Sequence, residues 1–497
     1  MKKQKLLILA VICAASLAFA ACGGDGADAD ADKKAENTER ADSNGDGVPE
    51  AAEVPDNLPE RDFGGYRFRI YMRGGVETGS AEFYVESETG DIMDDAKYSR
   101  RIKVEERFGI KIDEMSYEYN DSAASAAQKS ILAGDDAFDL VGVHGSNMAP
   151  IAQKELLLDW IENMPYVNFA APWWPDDEAK SMRIGGKLYF TIGELTCANT
   201  NGAQCMLFNK NLFKDLSIDY PYSDVINGTW TLDKFVSVVK LGSYDLNGDG
   251  AMVPEDDRYG LEIYHDTVYP VGVFFCGGDK VITVHDDGGL ELTAYNERTI
   301  AIFDKFFDMM KSEGAYVYYN GGTRSDFVHT AFREGRSLFW AGLMTHIITH
   351  RDLDIDIGVV PCPKYDQSTP KYYTSSYLGS QVFGVPITAA DTERISIIVE
   401  ALSAEGYRIL KSAYYEEALQ RKFTRDSESA EMLDYIRDGI VFEFAQYFGN
   451  IGGNFSFIGQ QLLSQKEPNF ASFYEKNEAQ IQKNIDKANE EYGYDIN

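Results

Sequence analysis

The chain is short of positive charge, of cysteine pairs and of catalytic signatures. Its 497 residues carry 47 Lys and Arg against 80 Asp and Glu, a formal charge of −33. A gross basic surface for nucleic acid is therefore absent, and no nucleic-acid partner is expected. Acidity of this size favours solubility outside the cell and argues against anionic ligands. The six cysteines form no CxxC pair, which removes the usual thiolate metal spacings. Cys13 and Cys22 lie near the N-terminus. Cys197, Cys205, Cys276 and Cys362 are scattered and read as buried thiols, although a Cys197–Cys205 disulfide is compatible with their spacing. No G-x-S-x-G, H-E-x-x-H or phosphate-loop pattern occurs. His346 and His350 stand four apart without the intervening Glu, and read as non-ligands.

The first 21 residues read as a signal peptide. Lys2, Lys3 and Lys5 precede an apolar run, Leu6 to Ala20, that is too short to span a bilayer comfortably. Small residues then lead into Cys22, as in a lipoprotein cleavage site, although Phe19 stands where Leu is commonest. Residues 22–61 are rich in Ala, Asp, Glu and Gly and read as a lipid-anchored, disordered acidic tether. Within it Asp42, Asn44, Asp46, Gly47 and Glu53 have calcium-loop spacing, but no amphipathic helices flank them, so a solvated linker is favoured.

From Asp62 onward strands alternate with helices. Tyr66–Met72, Ile110–Ile112 and Phe138–Val143 read as strands, and Ala96–Phe108 and Ser122–Ala133 as helices. This is the pattern of parallel βα units, whose ligands sit at the carboxyl edge of the sheet. His144 and Asn147 stand at that edge. Further on, helices are expected over Asn296–Lys311, Phe327–Glu334, Asp391–Leu410, Ser429–Phe448 and Phe470–Tyr492. Strands are expected over Leu338–Trp340, Asp356–Pro361 and Ser380–Pro386.

The stretch from Ile184 to Phe213 organises the rest. Gly185-Gly186-Lys187 reads as a tight hairpin turn. Leu188–Ile192 is an apolar strand, Thr196–Gln204 a polar crossing, and Cys205–Phe208 a second strand. A surface loop and an interlobe hinge both fit that order. The segments GGKLYFTIGEL, MLFNKNLF and TWTLDKF, followed by DIGVVPCPKYD and VFGVPITA, resemble the extracellular solute-binding proteins of bacterial ABC importers, in their sugar-binding, maltodextrin-type class.

The resemblance implies an α/β, two-lobed periplasmic-binding-protein-like fold. Each lobe would be a mixed sheet flanked by helices, and a multi-segment hinge would join them. Lobe I would comprise residues 62–195 and 380–430, and lobe II residues 196–379 and 431–497. It further implies a non-enzymatic lipoprotein, anchored at Cys22 on the outer face of the membrane or periplasmic. Such a protein captures a solute, above all an oligosaccharide, by hinge closure and delivers it to ABC permease subunits. Peptides or other solutes, sensing without transport, and a secreted glycan-processing enzyme are the alternatives; the last needs two opposed carboxylates that the sequence does not single out.

Ligand contacts are expected from Glu194 at the hinge edge, from Trp173, Trp174 and Trp340 as stacking surfaces with Met344 behind, and from His144, Asn147 and Tyr377. Asn450, Asn454 and Phe455, in a Gly/Asn-rich loop, complete the set. No cofactor is required. Asp245, Asn247, Asp249 and Asp256, with Gly250 for the bend, have the spacing of a structural Ca²⁺ loop, and equally that of an Asx-rich turn.

Overall fold

The computed structural model describes residues 54–73, 82–117, 120–175, 177–253, 255–264, 269–310, 312, 316–319, 330–349, 353–376, 380–420, 427–455, 458–463 and 469–494. The signal reading, the tether as far as residue 53, Cys22, the first calcium-loop candidate, His350 and Tyr377 lie outside them. Residues 54–61, expected as the end of a disordered tether, are instead packed on the folded part: Leu58 is buried and Asp56 pairs with Arg107 and Arg408.

Two five-stranded sheets carry the architecture. The first contains β1 (Tyr66–Arg73), β2 (Ile110–Tyr117), β3 (Leu140–His144), β4 (Phe190–Thr191) and β13 (Gln381–Gly384), in the order β2-β1-β3-β13-β4. β1 runs parallel to β2 and β3, whereas β13 is antiparallel to both β3 and β4. The second contains β5 (Gln204–Asn209), β6 (Tyr259–Tyr264), β9 (Tyr316–Tyr319), β10 (Ser337–Leu343) and β11 (Ile357–Pro361), in the order β11-β5-β10-β6-β9. Here β10 is parallel to β6 and antiparallel to β5. The remaining strands among the described residues form two small pairs: β7 (Ile282–Val284) with β8 (Leu290–Leu292), and β12 (Thr374–Ser375) with β14 (Ile440–Val441).

Each sheet is the centre of a lobe. The chain passes from the first sheet after Thr191 to the second at Gln204, and is back in the first at Gln381. It reaches the second side once more before Phe470, which stacks on Phe303. β5, β10 and β11 are buried along their whole length, as expected where helices cover both faces of a sheet.

Local chemistry explains the helix limits. Asp91 caps the helix Ile92–Phe108 by accepting from the amides of Met93 and Asp94, and Gly109 closes it at φ 58°. Thr231, Asp391 and Asn469 cap the helices Leu232–Gly242, Thr392–Glu405 and Phe470–Glu491 in the same way. The helix Thr392–Glu405 is buried from Ile395 through Glu405, so it is an internal helix of lobe I.

Two expectations are corrected here. Asp391–Leu410 is not one regular helix, because a π turn, Gly406–Leu410, follows Glu405. Ser429–Phe448 is likewise interrupted. A helix over Ser427–Asp438 stops at Gly439, and β14 and a short helix, Phe444–Tyr447, follow. Gly439 is the break because its backbone carbonyl accepts from Thr374, 2.9 Å away, and a Cβ there would collide with the Tyr372 carbonyl.

Candidate functional site at the interlobe crossings

Glu194 is placed by two glycines. Gly193 adopts φ 54°, and a side chain there would strike the Trp174 ring. Gly406, in the π turn, lies so close to the Glu194 carbonyl that any Cβ would overlap it. The Glu194 amide donates to the Trp173 carbonyl at 2.9 Å. Its carboxylate is buried and paired with the Arg437 guanidinium. Burial opposes the charge on Arg437, but the Glu194 carboxylate outweighs it and raises its pKa. The guanidinium carbon also sits 5.5 Å from the Tyr407 ring centroid.

The first crossing is anchored from below by helix Ile92–Phe108. Arg100 donates to the Leu195 carbonyl and, at 2.7 Å, to the Glu82 carbonyl. Full burial pulls the Arg100 pKa down to about 10. Cys197 is pushed up to about 12 by burial and by the nearby Glu82 carboxylate. It is a free, buried thiol, as are Cys205, Cys276 and Cys362.

The two crossings are bound to each other. Ala203 bridges to Ser376, and the Ser380 hydroxyl donates to the Ala198 carbonyl at 3.0 Å. Thr374 Oγ1 donates to the Gln204 carbonyl at 2.7 Å, and Gln446 Nε2 donates to Ser375 Oγ at 2.9 Å. The result is a band of uncharged polar side chains beside the Glu194–Arg437 pair and the buried Arg100. Two of its members have no hydrogen-bond partner: Asn199 Oδ1 and Ser376 Oγ, on residues 6% and 1% exposed. An unmade bond of this kind costs about 1–3 kcal/mol when no water or ligand supplies it.

The other expected contacts divide sharply. His144 stands opposite Gln381 across β3 and β13, beside the return crossing. Its Nδ1 accepts from the Ser146 amide and so caps the helix Gly145–Ala152, on whose first turn Asn147 lies. Trp173 and Trp174 are buried, with both indoles donating to Glu400 at 2.9 and 2.8 Å. They are core residues and not stacking surfaces. Trp340 and Met344 are also buried. Trp340 stacks on His346 at 4.5 Å, and His346 Nδ1 accepts from the Leu343 amide at 3.0 Å. Phe455 is buried edge-on against Phe274. Asn450 and Asn454 are exposed on a loop packed against the C-terminal helix, where Asn484 donates to the Asn450 carbonyl. Trp173, Trp174, Trp340, Met344 and Phe455 are thus fixed by packing that the sequence pattern does not reveal. Asn199, Thr374, Ser375, Ser376 and Gln446 carry no motif at all, and only the meeting of the crossings marks them out.

In the second acidic loop, Asp245 accepts from the amides of Gly248 and Gly250, and Asp249 from that of Ala251. Asn247 accepts from Asp249. Asp256 is exposed, while its neighbour Asp257 turns inward to accept from Leu246 and Val253. Among the described residues no group of three His, Cys, Asp or Glu is disposed around a common metal position. None of their helices is long and apolar enough to cross a membrane.

A cavity inside lobe II is lined by Cys205, Cys276 and Cys362 with Met206, Leu232 and Phe235. It leaves about 20 Å³ for the centres of water-sized spheres, roughly one water, and a sugar needs a cleft of about 300 Å³ or more.

No protein-family model matches the chain, and no curated protein matches it in sequence. Solved structures do match in shape. A cyclo/maltodextrin-binding protein complexed with maltotetraose is 14% identical, with a TM-score of 0.53 over 87% of this chain and 98% of its own. The cyclic alpha-maltosyl-1,6-maltose binding protein of Arthrobacter globiformis is 13% identical, with a TM-score of 0.53 over 86% and 97%. An ABC transporter solute-binding protein of Thermotoga lettingae bound to alpha-D-tagatose is 16% identical, with a TM-score of 0.50 over 85% and 99%. The fold is that of the two-lobed α/β solute-binding proteins.

Proposed function

We propose that this chain is an extracytoplasmic substrate-binding lipoprotein. It takes up a neutral, hydroxyl-rich solute, an oligosaccharide, between its lobes and presents it to the membrane subunits of an ABC importer. The observation that carries this reading is the pair of buried, unpartnered polar atoms, Asn199 Oδ1 and Ser376 Oγ, where the chain crosses between lobes. Amide and hydroxyl groups can both donate to and accept from sugar hydroxyls. Glu194, His144 and Asn147 stand on the lobe I side of the same region. The ligands named for the similar structures, maltotetraose and tagatose among them, support a carbohydrate. Closure of two lobes about a hinge would bury it. Anchoring through Cys22 would keep the protein at the membrane surface, and a calcium ion at Asp245, Asn247 and Asp249 would act structurally.

The test is a thermal-shift series with maltodextrins, cyclic glucans, monosaccharides and short peptides. A ligand at 100 times its Kd stabilises by about 2.7 kcal/mol, a rise of several degrees. A rise with glycans alone supports the proposal. A rise with peptides alone overturns the ligand class, and glycan hydrolysis in the same samples would make the protein an enzyme.

A further inference from the structure

The backbone crossings are not the only ties between the lobes. The helix Phe470–Glu491 has 22 residues, about 33 Å at 1.5 Å per residue. It starts on lobe II, where Phe470 stacks on Phe303 and Tyr474 on Tyr295, each at 4.4 Å. It ends against lobe I. There Tyr492 packs so tightly on Gly185 that a Cβ at that glycine would overlap its ring. Tyr494 Oη lies 2.8 Å from where a Cβ on Gly186 would stand.

The β7–β8 hairpin reaches the same point. It emerges between two lobe II helices, and its turn residue Gly288, at φ 97°, meets both Tyr494 and the Gly186 backbone. A Cβ on Gly288 would stand 2.7 Å from the Gly186 nitrogen. Asn489 fastens the hairpin to the helix: its amide accepts from and donates to the Leu290 backbone, both at 2.9 Å. At the hairpin base Lys280 pairs with Asp177 of lobe I at 2.6 Å, and the same carboxylate accepts from the Phe442 amide. Glu443 accepts from the amides of Val281 and Ile282.

We propose that the hairpin and the C-terminal helix form an interlobe strap, with Tyr492 and Tyr494 as its latch. The strap is a non-covalent tie, separate from the crossings, and it limits how far the lobes swing about them. Three glycines make the latch possible, because only residues without a Cβ let two turns and two tyrosine rings occupy one place. Lobe motion then requires the latch to slide or to release.

Hydrogen exchange on the full chain tests this without any ligand. In the variant Tyr492→Ala/Tyr494→Ala, amides of the turns 184–187 and 285–289 should exchange at least about tenfold faster. The crossings at 193–203 and 374–381 should accelerate with them, because freed lobes flex there. Lys280→Met cuts the strap at its other end and should accelerate the crossings too. It decides alone if the double variant does not fold. Acceleration confined to the altered contact, with the crossings unchanged, would reduce the strap to local packing and overturn the proposal.

Discussion

Two buried glutamates flank the Trp173–Trp174 corner, and they are satisfied by opposite means. Glu400 faces only neutral donors: the two indoles and the Asn168 amide. Burial dominates there and raises its pKa to about 7, against the pull of those three hydrogen bonds. Glu194 faces a cation, Arg437. All of the Glu400 partners belong to lobe I, so that site has one arrangement and rigidifies the lobe. Arg437 instead rides on helix Ser427–Asp438, which reaches lobe II through Tyr435 against Tyr372 and lobe I through Asp434 with Tyr415. The Glu194 pair can therefore respond to lobe motion, while the Glu400 nest cannot.

Removing Glu400 should have the largest effect on stability. Glu400→Ala orphans two indole N–H groups and leaves a void, costing about 4 kcal/mol in urea unfolding. A loss under about 1 kcal/mol would break the contrast by showing that the nest is not load-sharing. Next comes the hinge pair. Arg437→Met leaves Glu194 buried without its cation and should cost about 3 kcal/mol. Adding Glu194→Gln should recover part of that loss, and a double-mutant cycle in the same assay measures the coupling. Unlike Glu400→Ala, Arg437→Met should also change the affinity for whichever glycan the thermal-shift series identifies.

Burial of carboxyl groups also sets a pH dependence. Glu400 and Glu443 both rise from an ordinary 4.5 to about 7, chiefly through burial. The folded chain then binds more protons than the unfolded chain within that window. Stability should accordingly fall as pH rises from about 5 to 7, and level off above it, by on the order of 2 kcal/mol for each group. Melting temperatures across that range should show the slope, and Glu400→Gln should remove its share. The smallest effect is expected at the acidic loop. Asp245→Ala removes the carboxylate that accepts from the Gly248 and Gly250 amides and should cost about 1 kcal/mol without metal. A rise in melting temperature when Ca²⁺ is added to chelator-treated protein, absent in the variant, would add an ion to that loop.

Much of the secondary structure is legible in the chain. Strong periodicity gives the helices around Ala96–Phe108, Asn296–Lys311 and Phe470–Tyr492 to within a few residues. Gly185-Gly186 announces its turn, and the structure places both glycines at positive φ, 61° and 73°. The long helix expected over Ser429–Phe448 fails because Gly439 is held by Tyr372 and Thr374, residues distant in sequence. The tryptophans fail for a related reason. An exposed stacking surface and a buried indole look alike until the acceptor is known, and for Trp173 and Trp174 that acceptor is Glu400, 227 and 226 positions away.

The sequence by itself determined the alternation of strand and helix, the acidic balance, the turn at Gly185-Gly186 and the polar character of the crossing after Glu194. Those are properties of neighbours in the chain, set by backbone freedom and side-chain period. Tertiary structure alone decided which polar residues meet at the crossings, which aromatics are core, and that the C-terminal tail ties lobe II to lobe I. Each of these depends on contacts between residues far apart in the chain, where burial, and not local propensity, sets the energy.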